Sequence, residues 1–539
     1  MRSTLPVMVS LSVALIPALV AQEPHHAPGA EQLGAVVFPT SCSTAVQPKF
    51  ERAVALLHSF WWDQAERAFT EVAAEDPSCA MAHWGLALAR WNNPFGPGPS
   101  GRQLAAGAEA AERAVAIGAP TVRERGFIDA AAALYREHAT VTNPARLRRY
   151  ADVMARAHAA HPDDGEVVMF YAIALVATAP PGDTTFAQQR RAMGLLEPLF
   201  EARPDHPGLA HYMIHTNDSP RLAQLGLRAA RRYAEIAPSV PHAQHMPSHI
   251  FVRLGLWDET IQANRRSYEA AEAYARERHP GAVSMDAMHA LDYLVYGYLQ
   301  RGEDSAAAAM AGRAAAADKV AEPGNFAIEY ARASIPARMA LELGRWQDAA
   351  TLPTTLSTSP APQAIIRFAR GIGAARLGDA AAVRREVVAL EQLEAQLLEQ
   401  PNPYWGRVAG VKRRALSAWV MLADGDTAGA LREAAAAADL EETIDKHPVT
   451  PGEVVPAREL QADMLFEIRR YAEARRLYEA TVAREPQRAR SVFGAGRAAE
   501  LAGDMAAARR WYTTYLDLVR EGDGARPELM VARRLAGAM

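Results

Sequence analysis

Of the sixteen histidines in the chain, a group at positions 206, 211, 215, 242, 245, 249 and 289 is crowded into one stretch. His211/His215 and His245/His249 are pairs spaced by four, and the second pair follows the first by 34 residues. Residues three and four apart share one helix face. Each pair can therefore offer two imidazole nitrogens to a single ion, as helical zinc sites do. Imidazole suits zinc, copper or iron, and a nearby carboxylate can ligate the ion or orient a ring. The candidate metal ligands are His211, His215, His242, His245, His249, His289 and Asp292. Six histidines exceed one tetrahedral shell, so they suit two ions, or one ion with supporting groups around it. Asp218 and Asp292 are the carboxylates available as general bases beside such a metal. Two blander alternatives stay open: a metal-free polar groove that binds a peptide or small ligand, and histidines that only cap helices or fill the core.

The elements that must carry these residues are helical. Half of the 539 residues are hydrophobic, alanine is prominent and β-branched runs are few, which favours helix over sheet. Apolar residues recur at helical spacing through Phe50–Pro77, with a turn near Phe60–Asp63 and a proline stop at 77. Small residues at Ala53 and Ala65, an aromatic at Phe69 and Pro77 follow in one unit. The same order returns at Ala462, Ala474, Tyr478 and Pro486, and again at Gly496, Ala508 and Tyr512. Three further helix pairs are expected across 327–446, with a linker over 351–363.

This pattern resembles the tetratricopeptide repeat, a 34-residue pair of antiparallel helices. The resemblance implies an all-α, right-handed solenoid of roughly ten to twelve helix pairs, each burying its face against its neighbours. It also implies which residues line the concave groove. His211 and His245 take the same place in successive units, as do His215 and His249. His242 and, in a third unit, His289, Asp292 and Tyr296 take other groove places, with Asp218 and Arg253 beside them. His206 precedes its unit. Pro247 interrupts the second stripe, because it removes a helical hydrogen bond and can kink the helix or delay its start. The chain is also similar to a group of exported bacterial tetratricopeptide-repeat proteins, on the stretches FPTSCS (38–43), HSFWWDQAERAF (58–69), DPSCAMAHWGLAL (76–88) and HMPSHIFVRLG (245–255).

Arg2, the apolar stretch Leu5–Val20 and small residues at Ala18 and Ala21 read as a signal peptide over 1–21. That predicts a periplasmic or secreted protein. Cys42 and Cys79, the only cysteines, suit a disulfide in an oxidising compartment; two buried thiols are the alternative. An extended lead-in is expected over 22–45, repeat arrays over 46–326 and 327–522, and a tail over 523–539. A net charge of −4 gives no basic excess for nucleic acid, and no later run is apolar enough to span a bilayer. No phosphate loop, HExxH, GxSxG or CxxC motif is present. The expected function is an exported scaffold that binds a protein or peptide partner in its groove and carries a transition-metal site (zinc, copper or iron) there. A metal-dependent enzyme, hydrolytic with zinc and oxidative with copper or iron, and a metal-sequestering protein are the alternatives.

Overall fold

Antiparallel helix pairs follow one another along the chain. The computed structural model describes residues 31–180 and 182–536; the signal peptide expected over 1–21 lies outside the described residues. Among these there are twenty-six α-helices, one 3-10 turn and no strand beyond an isolated bridge between Val283 and Val320. No described helix is long and apolar enough to cross a membrane. Each helix packs mainly on the next and on the next but one, so the fold is an all-α solenoid of tetratricopeptide-repeat type. Surfaces built by such stacking are suited to protein binding.

The small-and-large pattern has a direct steric cause. In the helices Ala489–Leu501 and Met505–Leu518, a Cβ at Gly496 would lie 2.9 Å from the Tyr512 ring. A small residue on the first helix is what lets the aromatic of the second close the pair. The region 327–446 forms three pairs: Phe326–Glu342 with Trp346–Ala350, Pro360–Arg376 with Ala380–Leu398, and Tyr404–Ala423 with Thr427–Glu442. The stretch expected as a linker holds the turn Thr354–Leu356 and gives way to helix at Pro360, where a proline costs no helical hydrogen bond. The segment read as a tail carries one more helix, Pro527–Ala536. Its Leu529 and Ala532 are buried in the cluster that contains Tyr512 and Tyr515.

The solenoid closes on itself. The Trp257 indole donates to the Gln487 carbonyl at 2.9 Å, Arg488 Nη1 donates to the Tyr296 hydroxyl at 3.3 Å, and Arg526 Nε donates to Asp304 at 2.9 Å. The C-terminal repeats thus return to the helices that carry the histidines. At the other end, Cys42 and Cys79 form a disulfide (S–S 2.01 Å) that ties the extended lead-in to the start of the helix Ala80–Trp91.

Candidate metal centre

Two helices and a broken one bring the histidines together: Pro207–Asn217, Pro241–His245 continuing as Pro247–Leu254, and Met285–Arg301. The break at Pro247 is one of hydrogen bonding only. Met246 keeps helical angles (φ −52°, ψ −37°) and its N–H still bonds the His242 carbonyl at 2.9 Å. The four-residue spacing therefore survives. His245 Nε2 lies 3.0 Å from His249 Nε2, and His211 Nε2 lies 3.1 Å from His215 Nε2.

The ligand atoms form two threes. His211, His215 and His242 place theirs within 4.8 Å of one another, and so do His245, His249 and His289. His211, His245 and His249 are buried, whereas His215, His242 and His289 are half-buried. The threes adjoin: the His215 and His249 rings are 6.5 Å apart and the His242 and His245 rings 6.4 Å apart, centre to centre.

Neighbouring groups settle the tautomers. His211 Nδ1 lies 2.6 Å from the His58 carbonyl oxygen, which can only accept, so Nδ1 carries the proton. His249 Nδ1 donates to Asp218 at 2.9 Å. His245 Nδ1 donates to Asn264 Oδ1 at 2.7 Å, and Asn264 is oriented by donating its amide to the Thr260 carbonyl at 2.8 Å. With both Nδ1 protons committed, the neutral His245 and His249 aim two Nε2 lone pairs at each other. His242 Nε2 is likewise buried with no hydrogen-bond partner.

The electrostatics keep the rings neutral. Burial lowers the pKa of His211, His215, His242, His245 and His289 well below the ordinary histidine value. His249 is also lowered by burial, against the pull of Asp218. Burial alone would raise Asp218, but Lys446, Arg253 and His249 hold it well below the usual carboxylate range. Arg253 Nε donates to Asp218 at 2.9 Å and Lys446 Nζ lies 3.7 Å away. Burial pushes Lys446 down to about 8, with Asp218 opposing.

An enclosing wall comes from distant parts of the chain. Phe60, buried and with a left-handed backbone (φ 54°), packs its ring 4.4 Å from His211 and 5.4 Å from His215. Phe95, in the Pro- and Gly-rich loop after Trp91, stacks on His215 at 4.5 Å. Tyr293 stands 4.6 Å from His245, and its hydroxyl reaches the Pro448 and Thr450 carbonyls at 3.2 Å. The histidine face is thus covered by residues 60, 95 and 446–450. These residues wall in the rings on several sides.

Asp292 does not join the histidines. On the helix Met285–Arg301 the neighbour of His289 is Tyr293, one turn on, with ring centres 5.1 Å apart. Asp292 and Tyr296 turn to the adjacent face, where Asp292 pairs with the buried Arg338 at 3.1 Å and Arg338 lies over the Tyr296 ring at 4.8 Å. A buried carboxylate needs such a partner, and Arg338 supplies it.

A third cluster escaped the sequence. Glu166 accepts from His58 Nε2 at 2.9 Å and from His206 Nε2 at 3.0 Å, all three buried. Tyr212 donates its hydroxyl proton to His58 Nδ1 at 2.9 Å. Burial would raise Glu166, but His58 and His206 hold it far below the carboxylate range. Both Nε2 protons point at the carboxylate, so this cluster is a brace that satisfies the buried carboxylate's hydrogen bonding. It holds His58, whose carbonyl orients His211.

Residues 62–121 and 459–525 match the tetratricopeptide-repeat family model. No curated protein matches. Among solved structures, a human IFIT1 dimer with m7Gppp-AAAA is 12% identical with a TM-score of 0.36, covering 81% of this chain and 90% of that one. Yeast Tom70 is 11% identical with a TM-score of 0.31, covering 81% and 93%. The APC/C hetero-tetramer Cut9-Hcn1 is 11% identical with a TM-score of 0.32, covering 90% and 89%. The chain carries tetratricopeptide repeats at both ends of its solenoid.

Proposed function

We propose that this protein is a transition-metal protein whose metal is held by histidines inside a tetratricopeptide-repeat coil. The observation that carries it is the His245–His249 pair. Two nitrogens bound to one ion at about 2.0–2.1 Å, with an angle of 90–110°, lie about 2.9–3.4 Å apart. The two Nε2 atoms are 3.0 Å apart with no proton of their own to share. An added proton would bridge them too, but burial disfavours the imidazolium, and Asp218 already faces Arg253 and Lys446. Coordination of a metal satisfies both lone pairs at the observed spacing. The outer groups also fit, since metal-bound histidines usually donate their other N–H to a carboxylate or carbonyl, as His249 and His211 do.

The covered pocket favours chemistry on a small molecule over a peptide laid along the histidines. Binding of a protein or peptide partner is a second reading, favoured by a different place. A cavity of about 390 Å³, lined by Trp346, Phe466 and Phe493 with Arg376, Arg490 and Arg497, opens between C-terminal helices. Export to the periplasm or medium is supported by the leader-like N-terminus and by the Cys42–Cys79 disulfide. Cell fractionation tests it: protein found only in the cytosol would refute export.

Elemental analysis of the tag-free, full-length protein tests the metal. The native protein should carry zinc, copper or iron, and His215→Ala/His249→Ala should lose it while keeping its helical circular dichroism. A native protein free of transition metal, even after incubation with these ions, would sink the proposal.

A further inference from the structure

Building on the metal reading above, we propose that the centre is binuclear: one ion on His211, His215 and His242, a second on His245, His249 and His289, sharing one small bridging ligand. Six nitrogens around a single ion would all lie within about 4.2 Å of one another, twice a metal–nitrogen bond. The six histidines instead close as two separate threes, each within 4.8 Å. A single ion would therefore use one three and leave the other idle. The idle three would keep unmet needs: the facing lone pairs of His245 and His249 on one side, and the unpartnered, buried Nε2 of His242 on the other.

Three protein ligands leave a fourth position open on each ion. The threes adjoin across His215/His249 and His242/His245, at 6.5 and 6.4 Å between ring centres. Metal pairs that act together stand about 3.5–4 Å apart, a separation that adjoining rings at these distances permit. The ligand between them must be small, because Phe60, Phe95 and Tyr293 close the space around the rings. Hydroxide, or an anion of the size of azide, meets that requirement.

The ligand set also bears on the choice of ion. All six ligands are neutral imidazoles, and the nearest carboxylate, Asp218, is already matched by Arg253 and Lys446. Apart from the bridging anion, two divalent ions would place four positive charges where the protein offers no free counter-charge, whereas two cuprous ions place two. Cuprous copper is therefore the first probe, with zinc alongside.

The metal-free, full-length protein is titrated anaerobically with Cu(I) and separately with Zn(II), and retained metal is counted after desalting. The expected result is two Cu(I) per chain. His211→Ala/His215→Ala and His245→Ala/His249→Ala should each retain one, and the single variants His242→Ala and His289→Ala guard against misfolding in the double ones. After admitted dioxygen has taken one electron from each copper to give two Cu(II), azide should saturate its charge-transfer band at one per chain. One metal per chain in both arms, abolished by either double variant, would overturn the pair and leave the mononuclear reading standing. No metal in either arm would overturn both.

Discussion

His211 donates its Nδ1 proton to the main-chain carbonyl of His58, 2.6 Å away across 153 positions of sequence. His58 is itself pressed against Gly208, at the start of the helix that carries His211. A Cβ at Gly208 would lie 2.5 Å from His58 Nδ1. Gly208→Ala must therefore displace His58 and, with it, the acceptor that orients His211. The expected cost is about 1–3 kcal/mol of stability, the usual range for overpacking a core, together with weaker metal binding. Urea unfolding and chelator competition measure the two effects, and wild-type affinity in the variant would contradict this positioning role.

Asp218 fixes the orientation and basicity of His249. Asp218→Asn keeps the shape but loses the charge, and its amide can present a donor where His249 Nδ1 needs an acceptor. A loss of about 10–100-fold in metal affinity is expected, with helical content unchanged. Competition against a chelator of known affinity decides the matter; affinity within twofold of wild type would remove Asp218 from the centre.

The pH dependence of the metal-free protein has a definite sign. His58, His211, His215, His242, His245, His249 and His289 all have pKa values below the ordinary 6.5. When such groups are freed by unfolding they bind protons first, so the unfolded state gains as pH falls. Stability should be full above pH 6.5 and decline as pH drops below it toward the depressed folded values. Each group contributes at most about 1.4 kcal/mol per pH unit in that window. Urea midpoints at pH 7.5 and 5.5 should differ by an amount equivalent to several kcal/mol, the lower pH being the weaker. Equal midpoints would show that the rings are not held neutral.

The Cys42–Cys79 bridge closes a loop of 37 residues. On chain entropy alone, cross-linking such a loop is worth about 3–4 kcal/mol. Cys42→Ser/Cys79→Ser should lower stability by that order under oxidising conditions. Under reducing conditions the difference from wild type should vanish, and a difference that persists there would assign the effect to packing.

The repeat architecture and the two histidine pairs were legible because both depend on short periods. Spacing by four puts His211 with His215 and His245 with His249, and a 34-residue repeat sets the pairs side by side. Pro247 did less damage than its chemistry suggested, since Met246 stays helical around it. Asp292 was misplaced by one residue of helical rotation. From His289, the i+4 neighbour Tyr293 faces the pocket, while the i+3 neighbour Asp292 turns to Arg338. His58, Glu166, Asn264, Phe95 and Lys446 could not be found from spacing. They reach the site through the way the coil curls, and no local period encodes that curl.

That curl changes how the protein should come apart. In an open array each repeat touches only its neighbours, so terminal units fray or can be deleted at little expense to the rest. Here the indole of Trp257 is held by Gln487, and Asp304 by Arg526, so the last repeats are fastened to the middle of the chain. The walls of the histidine pocket run from residue 60 to residue 450. A nascent chain lacks the far wall until its C-terminal half emerges, and a clip near the C-terminus would loosen the pocket from a distance. Unlike a typical string of repeats, this molecule should melt as one cooperative body and complete its histidine cluster last.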